Sequence, residues 1–380
     1  MIDRFLPRTV LFYLPQMKVG GAEISLLRLA KGLHERGVQT AFVTHRADDA
    51  ARALTGDIEL LSLDVDRSLA AWHRLSGLLR QRRPDVLVSA LTHSNIIAAV
   101  AAKLSGTRTR VVVTEHAPAS SMRQLDTSRT YRITLQLVPW IYRLADAIVA
   151  VSKGVYKDFL PMLSTSTQRR LTVIPNPVLR ANWWIQSQVQ INDPWFRAGA
   201  PPVILSVGRL SPEKNFSLLI RSFAQLRPQA SPPRLAIIGD GPERPALQKL
   251  IDRLGLSERV RLLGQCENPF AYMRRAAMFV LASRFEGFGN VLIEAMACGI
   301  PVISTDCPVG PHEILEGGRY GTLVATDDAD ALTEAIEARL RDLRPEPEAV
   351  ARALEFTAER SVEDYLALFS RVARKAGGYR

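Results

Sequence analysis

No apolar run in this chain of 380 residues approaches the ~20 needed to cross a bilayer. The longest, Ile96 to Ala102 and Ala276 to Ala282, stop at Lys103 and Ser283. Cysteine is nearly as scarce. Cys266, Cys298 and Cys307 show no close-spaced metal or redox motif, so a disulfide framework is excluded and a reducing compartment is expected. The opening residues place Asp3 and Arg4 before a first strand, with no apolar signal core or small-residue cleavage site. The expectation is therefore a cytoplasmic protein. A G-x-G-x-x-G fingerprint is missing too, which gives dinucleotide redox chemistry no support. What remains, 47% hydrophobic and 23% charged, is the composition of a globular chain long enough for two domains.

The net charge of +11 is unevenly placed. Residues 1–180 hold 25 Lys and Arg against 14 Asp and Glu, a net of +11, and residues 181–380 hold 24 of each. An arginine-rich background would raise both halves, and only the first is raised. Nucleic acid, anionic lipid or a phosphorylated acceptor would each suit such a half.

Thr9 to Leu14 reads as a first strand and Ala22 to Arg36 as an amphipathic helix ending near Gly37. Between them, the Gly20-Gly21 pair lets a ligand come close to the backbone. Further strands are expected at Gln39–Val43, Val86–Ser89, Arg110–Thr114 and Ala147–Val151, with helical segments between. That alternation predicts a parallel sheet covered on both faces. His116 follows the third of these, at the carboxyl end of a strand, where open α/β sheets bind ligands.

From Ser120 to Arg143, Arg123, Arg129, Arg132 and Arg143 alternate with Met122, Leu125, Tyr131, Leu135, Leu137, Trp140, Ile141 and Tyr142. Such a mixture suits an interfacial segment against anionic lipid, or a core helix with solvated arginines. Pro139 is expected to interrupt it. A turn at Pro175-Asn176-Pro177 and a polar, Trp-containing stretch to Pro202 read as a linker. The pattern restarts with Val203–Val207 and then Arg209, Ser211 as N-cap, Pro212 and Lys214. Arg209 and Lys214 at one strand-to-helix turn have the charge to clamp a diphosphate.

The richest stretch is Ser283 to Glu294, S-R-F-E-G-F-G-N-V-L-I-E. The apolar run Met278 to Ala282 leads into it as a buried strand. Gly287 and Gly289 bracket Phe288, and from Asn290, the expected N-cap, Val291, Leu292, Ala295 and Met296 follow helical spacing. Glu286 then sits at a strand end and Glu294 about one turn into the helix. The helix start between them favours an anion. Two carboxylates beside an anion site fit a ligand with hydroxyls on both sides of a phosphate.

E-G-F-G-N-V-L-I-E, with its continuation at residues 295–306, resembles the retaining glycosyltransferases of family 4, the two-Rossmann-domain kind with a Glu-x7-Glu motif. G-G-A-E at 20–23 and G-R-L-x-x-E-K-N at 208–215 are similar to that family as well. The resemblance runs from about residue 9 to 375, is strongest from 203 to 324 and weak from 45 to 110. It implies an α/β GT-B architecture, two doubly wound Rossmann-like domains facing a central cleft. The first would span 1–178, the linker 179–202 and the second 203–360, with 361–380 packing back on the first. In the family pattern, Glu294 holds the ribose, and Arg209 and Lys214 neutralise the leaving diphosphate above Gly20 and Gly21. Glu286 and His116 contact the transferring sugar, with Gly287, Gly289, Asn290 and Val291 completing the donor site.

Asp64-Val65-Asp66 and Asp328-Ala329-Asp330 have the D-x-D form that binds a divalent ion in the other glycosyltransferase fold. Neither abuts a candidate donor contact, so no metal and no other cofactor is expected. The resulting expectation is a retaining, metal-independent transferase. It would move a hexose or N-acetylhexosamine from a UDP-linked donor to a lipid-linked glycan at the inner face of an anionic membrane, without nucleic acid. A sugar-nucleotide epimerase on the same plan and a non-catalytic nucleotide-sugar binder are the alternatives.

Overall fold

The computed structural model describes residues 5–18, 20–66, 68–126, 128–229, 231–344, 346–375 and 377. Asp3 and Arg4, the side chain of Leu125 and residues 378–380 of the C-terminal segment lie outside them. Two compact units emerge, Met1–Pro177 with Ala358–Arg380, and Val178–Thr357.

The first unit is built on seven parallel strands: β1 (Thr9–Tyr13), β2 (Gln39–Thr44), β3 (Glu59–Ser62), β4 (Val86–Ala90), β5 (Arg110–Glu115), β6 (Ala147–Ala150) and β7 (Leu171–Val173). Their order is β3-β2-β1-β4-β5-β6-β7. Central strands such as β4 and β6 are buried along their whole length, the condition that near-continuous apolar runs satisfy in a parallel sheet. One core joins Phe12, Phe42 and Val88 to Leu26, Leu29 and Leu33 of the Gly21–His34 helix and to Val362, Tyr365, Phe369 and Val372 of the Ala358–Lys375 helix. Those two helices meet at Gly32, where an added Cβ would lie 2.6 Å from Val362 Cγ2. Truncating the fully buried Phe369 to Ala removes a ring whose loss typically costs ~3–5 kcal/mol.

The second unit carries six parallel strands, β8 (Val203–Val207), β9 (Arg234–Ile238), β10 (Val260–Gly264), β11 (Met278–Leu281), β12 (Val302–Thr305) and β13 (Thr322–Val324). Their order is β10-β9-β8-β11-β12-β13. Residues 179–202, read from sequence as a linker, lie within this unit. Phe196 is buried with its ring 5.1 Å from that of Tyr272 in an edge-to-face contact, and Asn268 Nδ2 donates to Gln186 O (2.8 Å).

The expected break at Pro139 does not occur there. Segment 120–143 forms two helices, Ala119–Leu125 and Arg129–Ile141, and the second runs through Pro139. Being close to the helix end, Pro139 forfeits one backbone donor without stopping the helix. β3, β12 and β13 were not foreseen. The first and last are short edge strands with exposed first residues, so neither displays an unbroken apolar run; β12 is buried throughout but only four residues long.

Each sheet reverses its strand order once, between β1 and β4 in the first unit and between β8 and β11 in the second. Loops leaving the carboxyl ends of such a pair diverge to opposite faces and leave a crevice.

Candidate active site

In the second unit, the residues on either side of the β8/β11 reversal touch. β8 runs out through Gly208 and Arg209 to a 3-10 turn, Pro212–Lys214, with Ser211 at the N-cap position but making no side-chain cap bond. Asn215 then takes the left-handed conformation (φ 50°), which asparagine tolerates, and starts the Phe216–Ala224 helix. From this turn Lys214 Nζ reaches Glu286 Oε1 at 2.5 Å. Ser283, just past β11, donates its hydroxyl to the same oxygen at 2.7 Å. Both bonds go to one oxygen, and among the described residues Glu286 Oε2 has no hydrogen-bond partner. Arg209 is exposed, and among the described residues its guanidinium has no partner.

Two glycines let the surrounding loops close on this turn. An added Cβ on Gly239, after β9, would lie 1.8 Å from Gly208 O. One on Gly310 (φ 98°), after β12, would lie 2.1 Å from Phe288 O. The N-cap of the following helix, Asn290–Ala297, is Gly289 (φ 104°) and not Asn290, which becomes the first helical residue. Only a glycine accepts that backbone cheaply, and it brings no side chain of its own to cap the helix. Gly287, Asn290 and Val291 are half-exposed at this helix start, whereas Glu294, one turn further, is 5% exposed.

In the first unit the reversal lies between β1 and β4. Gly20 is extended and caps the Gly21–His34 helix, while Gly21 has no atom within 4 Å of where a side chain would begin. Leu91, directly after β4, holds φ 74°, a conformation that costs a non-glycine residue about 1–3 kcal/mol. Past β5, Thr114 donates its hydroxyl to Ser89 O (2.9 Å). Its single proton is thereby used, so the 3.0 Å contact with His116 Nε2 makes that nitrogen the donor. His116 Nδ1 is then a lone-pair acceptor, shut away from solvent and without a partner among the described residues. Burial pushes this imidazole down to about 4, so it is neutral near pH 7.

Beside it, Glu115 is 2% exposed. It accepts from Thr92 Oγ1 (3.0 Å), Asn95 Nδ2 (2.9 Å) and the Tyr142 hydroxyl. Burial raises its carboxyl to about 7 against the pull of those three donors. Sequence reasoning passed over Glu115 and its partners, as it did Ser283 and Gly310. Thr92 and Asn95 share the first turn of the Thr92–Ser105 helix, but Tyr142 comes from the Tyr142–Leu144 turn, and only the fold brings the three to Glu115.

Three of the four D-x-D carboxylates have other partners. Asp66 pairs with Arg46 (2.6 Å), Asp64 accepts from Ser62 Oγ (2.6 Å), and Asp328 caps the Ala329–Arg341 helix. Among the described residues no helix is long and apolar enough to cross a membrane.

Two family models match the chain, Glycosyltransferase Family 4 over residues 19–179 and Glycosyl transferases group 1 over 190–353. A Campylobacter jejuni protein, N-acetylgalactosamine-N,N'-diacetylbacillosaminyl-diphospho-undecaprenol 4-alpha-N-acetylgalactosaminyltransferase, is 34% identical over 66% of this chain and 66% of its own length. The chain thus spans about two thirds of that relative. The lipopolysaccharide core biosynthesis glycosyltransferase LpsE of Rhizobium meliloti is 28% identical over 86% of this chain and 87% of its own. Among solved structures, Anabaena HepE in complex with UDP and glucose superimposes with a TM-score of 0.72 at 23% identity, covering 97% of this chain and 99% of that one. That likeness establishes the fold. Both halves being matched in order, the chain belongs to the family 4 glycosyltransferases, the two-Rossmann-domain kind.

Proposed function

We propose that this protein transfers a hexose or N-acetylhexosamine from a nucleoside diphosphate sugar, UDP-linked, to a hydroxyl of a lipid-linked glycan, with retention and without a metal. The observation that carries the reading is the Lys214–Glu286 pair at the strand reversal, beside a helix start whose N-cap is a glycine. A cation, a carboxylate with one free oxygen and a helix N-terminus are what a diphosphate with a sugar on one side requires. Lys214 and the unpaired Arg209 would take the diphosphate, Glu286 Oε2 a sugar hydroxyl and Glu294 the ribose. Gly287, Gly289, Asn290 and Val291 would bring backbone close to the donor, and Gly20 and Gly21 would do so in the first unit. His116, neutral, would contact the transferring sugar and help to polarise it.

In the step itself, the acceptor oxygen forms a bond to the anomeric carbon on the face from which the diphosphate leaves. The bond to the diphosphate oxygen breaks, and the acceptor proton passes to the departing phosphate. Lys214 and Arg209 stabilise the charge that develops there, the kind of preorganised electrostatics that usually dominates such catalysis. The lipid-linked acceptor is suggested by the Campylobacter relative, and it would place the work at the cytoplasmic face of an anionic membrane.

Incubating the protein with a panel of labelled nucleotide sugars and a bacterial lipid extract tests the reading. Label should move into the organic phase from one donor and from no other. Conversion of the donor to its epimer, or tight donor binding without transfer, would replace this function with one of the two alternatives.

A further inference from the structure

The Arg129–Ile141 helix and the turn after it, Tyr142–Leu144, bury one side and leave an apolar stripe on the other. Thr134, Leu135, Val138 and Tyr142 face inward, with the helix packed on the Thr92–Ser105 helix. Ile133, Leu137, Trp140 and Leu144 are exposed by 56%, 40%, 64% and 37%. At 100° per residue these four fall within about 60° of arc, so they form one line. Arg129, Arg132 and Arg143 are exposed along a single edge of that line, and Arg143 lies over the Trp140 ring at 4.9 Å. Between Asp126 and Asp146 the sequence has no acidic residue.

We propose that this face seats on an anionic lipid bilayer, the helix lying in the interface plane. An exposed line of large apolar residues marks an interaction surface. A tryptophan under an arginine, beside two more arginines, matches the boundary between acyl chains and acidic headgroups. A second copy of the chain is the poorer occupant, since an antiparallel twofold contact along this line would oppose the arginine edges of both copies. Thirteen residues are too few to span, so the helix lies flat. The proposal deepens the lipid-linked reading by naming the surface at which such an acceptor would be met.

The test is sedimentation of the full chain with vesicles holding phosphatidylglycerol in phosphatidylcholine, free of any glycan acceptor, against phosphatidylcholine alone. The wild type should bind the acidic vesicles at low salt and lose most of that binding at 1 M salt. Replacing Arg129, Arg132 and Arg143 with Ser should lower partition about 100-fold at roughly fivefold per cation. Replacing the exposed Arg221, Lys249 and Arg253 of the other unit with Ser removes equal charge and should change it little. Ile133→Ser with Trp140→Ser should abolish the salt-resistant remainder while leaving Tm unchanged, because both side chains are already exposed. Absent vesicle binding, equal effects of the two triplets, or a dimer dissolved by Trp140→Ser would each overturn the proposal. Because no acceptor is present, vesicle binding is read independently of turnover, and binding here together with no label transfer to the bacterial lipid extract would count against the proposed reaction and not against this surface.

Discussion

Lys214 and Glu286, 72 residues apart in sequence, are joined by a 2.5 Å ion pair across the one place where the second sheet reverses its strand order. Both side chains are mostly out of water, the lysine 21% and the glutamate 9% exposed. Removing either partner therefore strands a charge rather than deleting a surface contact. Arg209→Ala and Lys214→Ala should consequently differ. The arginine variant should weaken UDP and donor binding about tenfold with Tm unchanged, since a charge-assisted bond is worth ~1.5–3 kcal/mol. The lysine variant should lose at least as much affinity and also about 5–10 °C in Tm, as expected when a largely buried pair is broken. Titration calorimetry with UDP and a thermal melt on both proteins make the comparison; matching melts would remove the pair from its assigned position.

The neighbouring pair of titrating groups in the first unit sets a pH dependence of stability. Glu115 is raised from 4.5 to about 7, so the native state holds a proton that the unfolded chain has released. Its contribution is complete below pH 4.5 and is lost as pH rises through 7, an effect of roughly 3 kcal/mol at 1.36 per unit. His116, lowered from 6.5 to about 4, acts in the opposite sense, and its contribution is lost as pH falls from 6.5 through 4. The two slopes offset each other between pH 4.5 and 6.5. Above that window only Glu115 remains, so wild-type Tm should decline from pH 6.5 to 8. Glu115→Gln should remove that decline, and a variant that still declines would place the titrating group elsewhere.

Gly310→Ala would drive a Cβ into Phe288 O and would also hold alanine at φ 98°. The loop carrying Gly287, Gly289 and Asn290 must then shift. We expect ~2 kcal/mol or more of lost stability together with at least tenfold weaker donor binding. Gly37→Ala serves as the control, because Gly37 has φ 82° with nothing within 4 Å of the added methyl. It should lose stability alone. If both variants bind UDP equally well, the close approach of Gly310 to Phe288 plays no part in shaping the donor loop.

Activity should survive excess EDTA, with Arg209 and Lys214 supplying the charge that a divalent ion supplies elsewhere. Loss of turnover on chelation, reversed by Mg²⁺ or Mn²⁺, would assign the leaving-group chemistry to a metal.

Much of this architecture is legible in the chain because a parallel sheet buries both faces. Val86–Ala90 and Met278–Leu281 stand out for that reason, as does the loop-to-helix string that follows the second. The Ser211-Pro212 start and the strand ending at Val207 are local matters of φ and capping, and local signals suffice for them. What escaped depends on tertiary partners. Leu135 and Leu137 are equally apolar in sequence, and only the packing of their helix on the Thr92–Ser105 helix buries the first and exposes the second. Ile133, unremarked in the sequence, belongs to the exposed line for the same reason. Glu115 looked like the residue before a histidine until Thr92, Asn95 and Tyr142 were brought around it. Phe196 sits in a stretch whose polarity suggests a linker, yet Tyr272, far along the chain, gives its ring a place to be buried.

The first unit's core is discontinuous in the chain, and translation reads it out of order. Val362, Tyr365, Phe369 and Val372 complete the same cluster as Phe12 and Leu29, yet the whole of Val178–Thr357 lies between Pro177 and their helix. At about 5–20 residues per second, the ribosome spends roughly 10–40 s on that intervening stretch. Through all of that time the seven-stranded sheet waits with one flank of the Gly21–His34 helix bare, while the second unit can close its own core as it emerges. A newly made chain is therefore most open to chaperones, proteases and misassociation along the groove beside Gly32, and the Ala358–Lys375 helix is what ends that exposure.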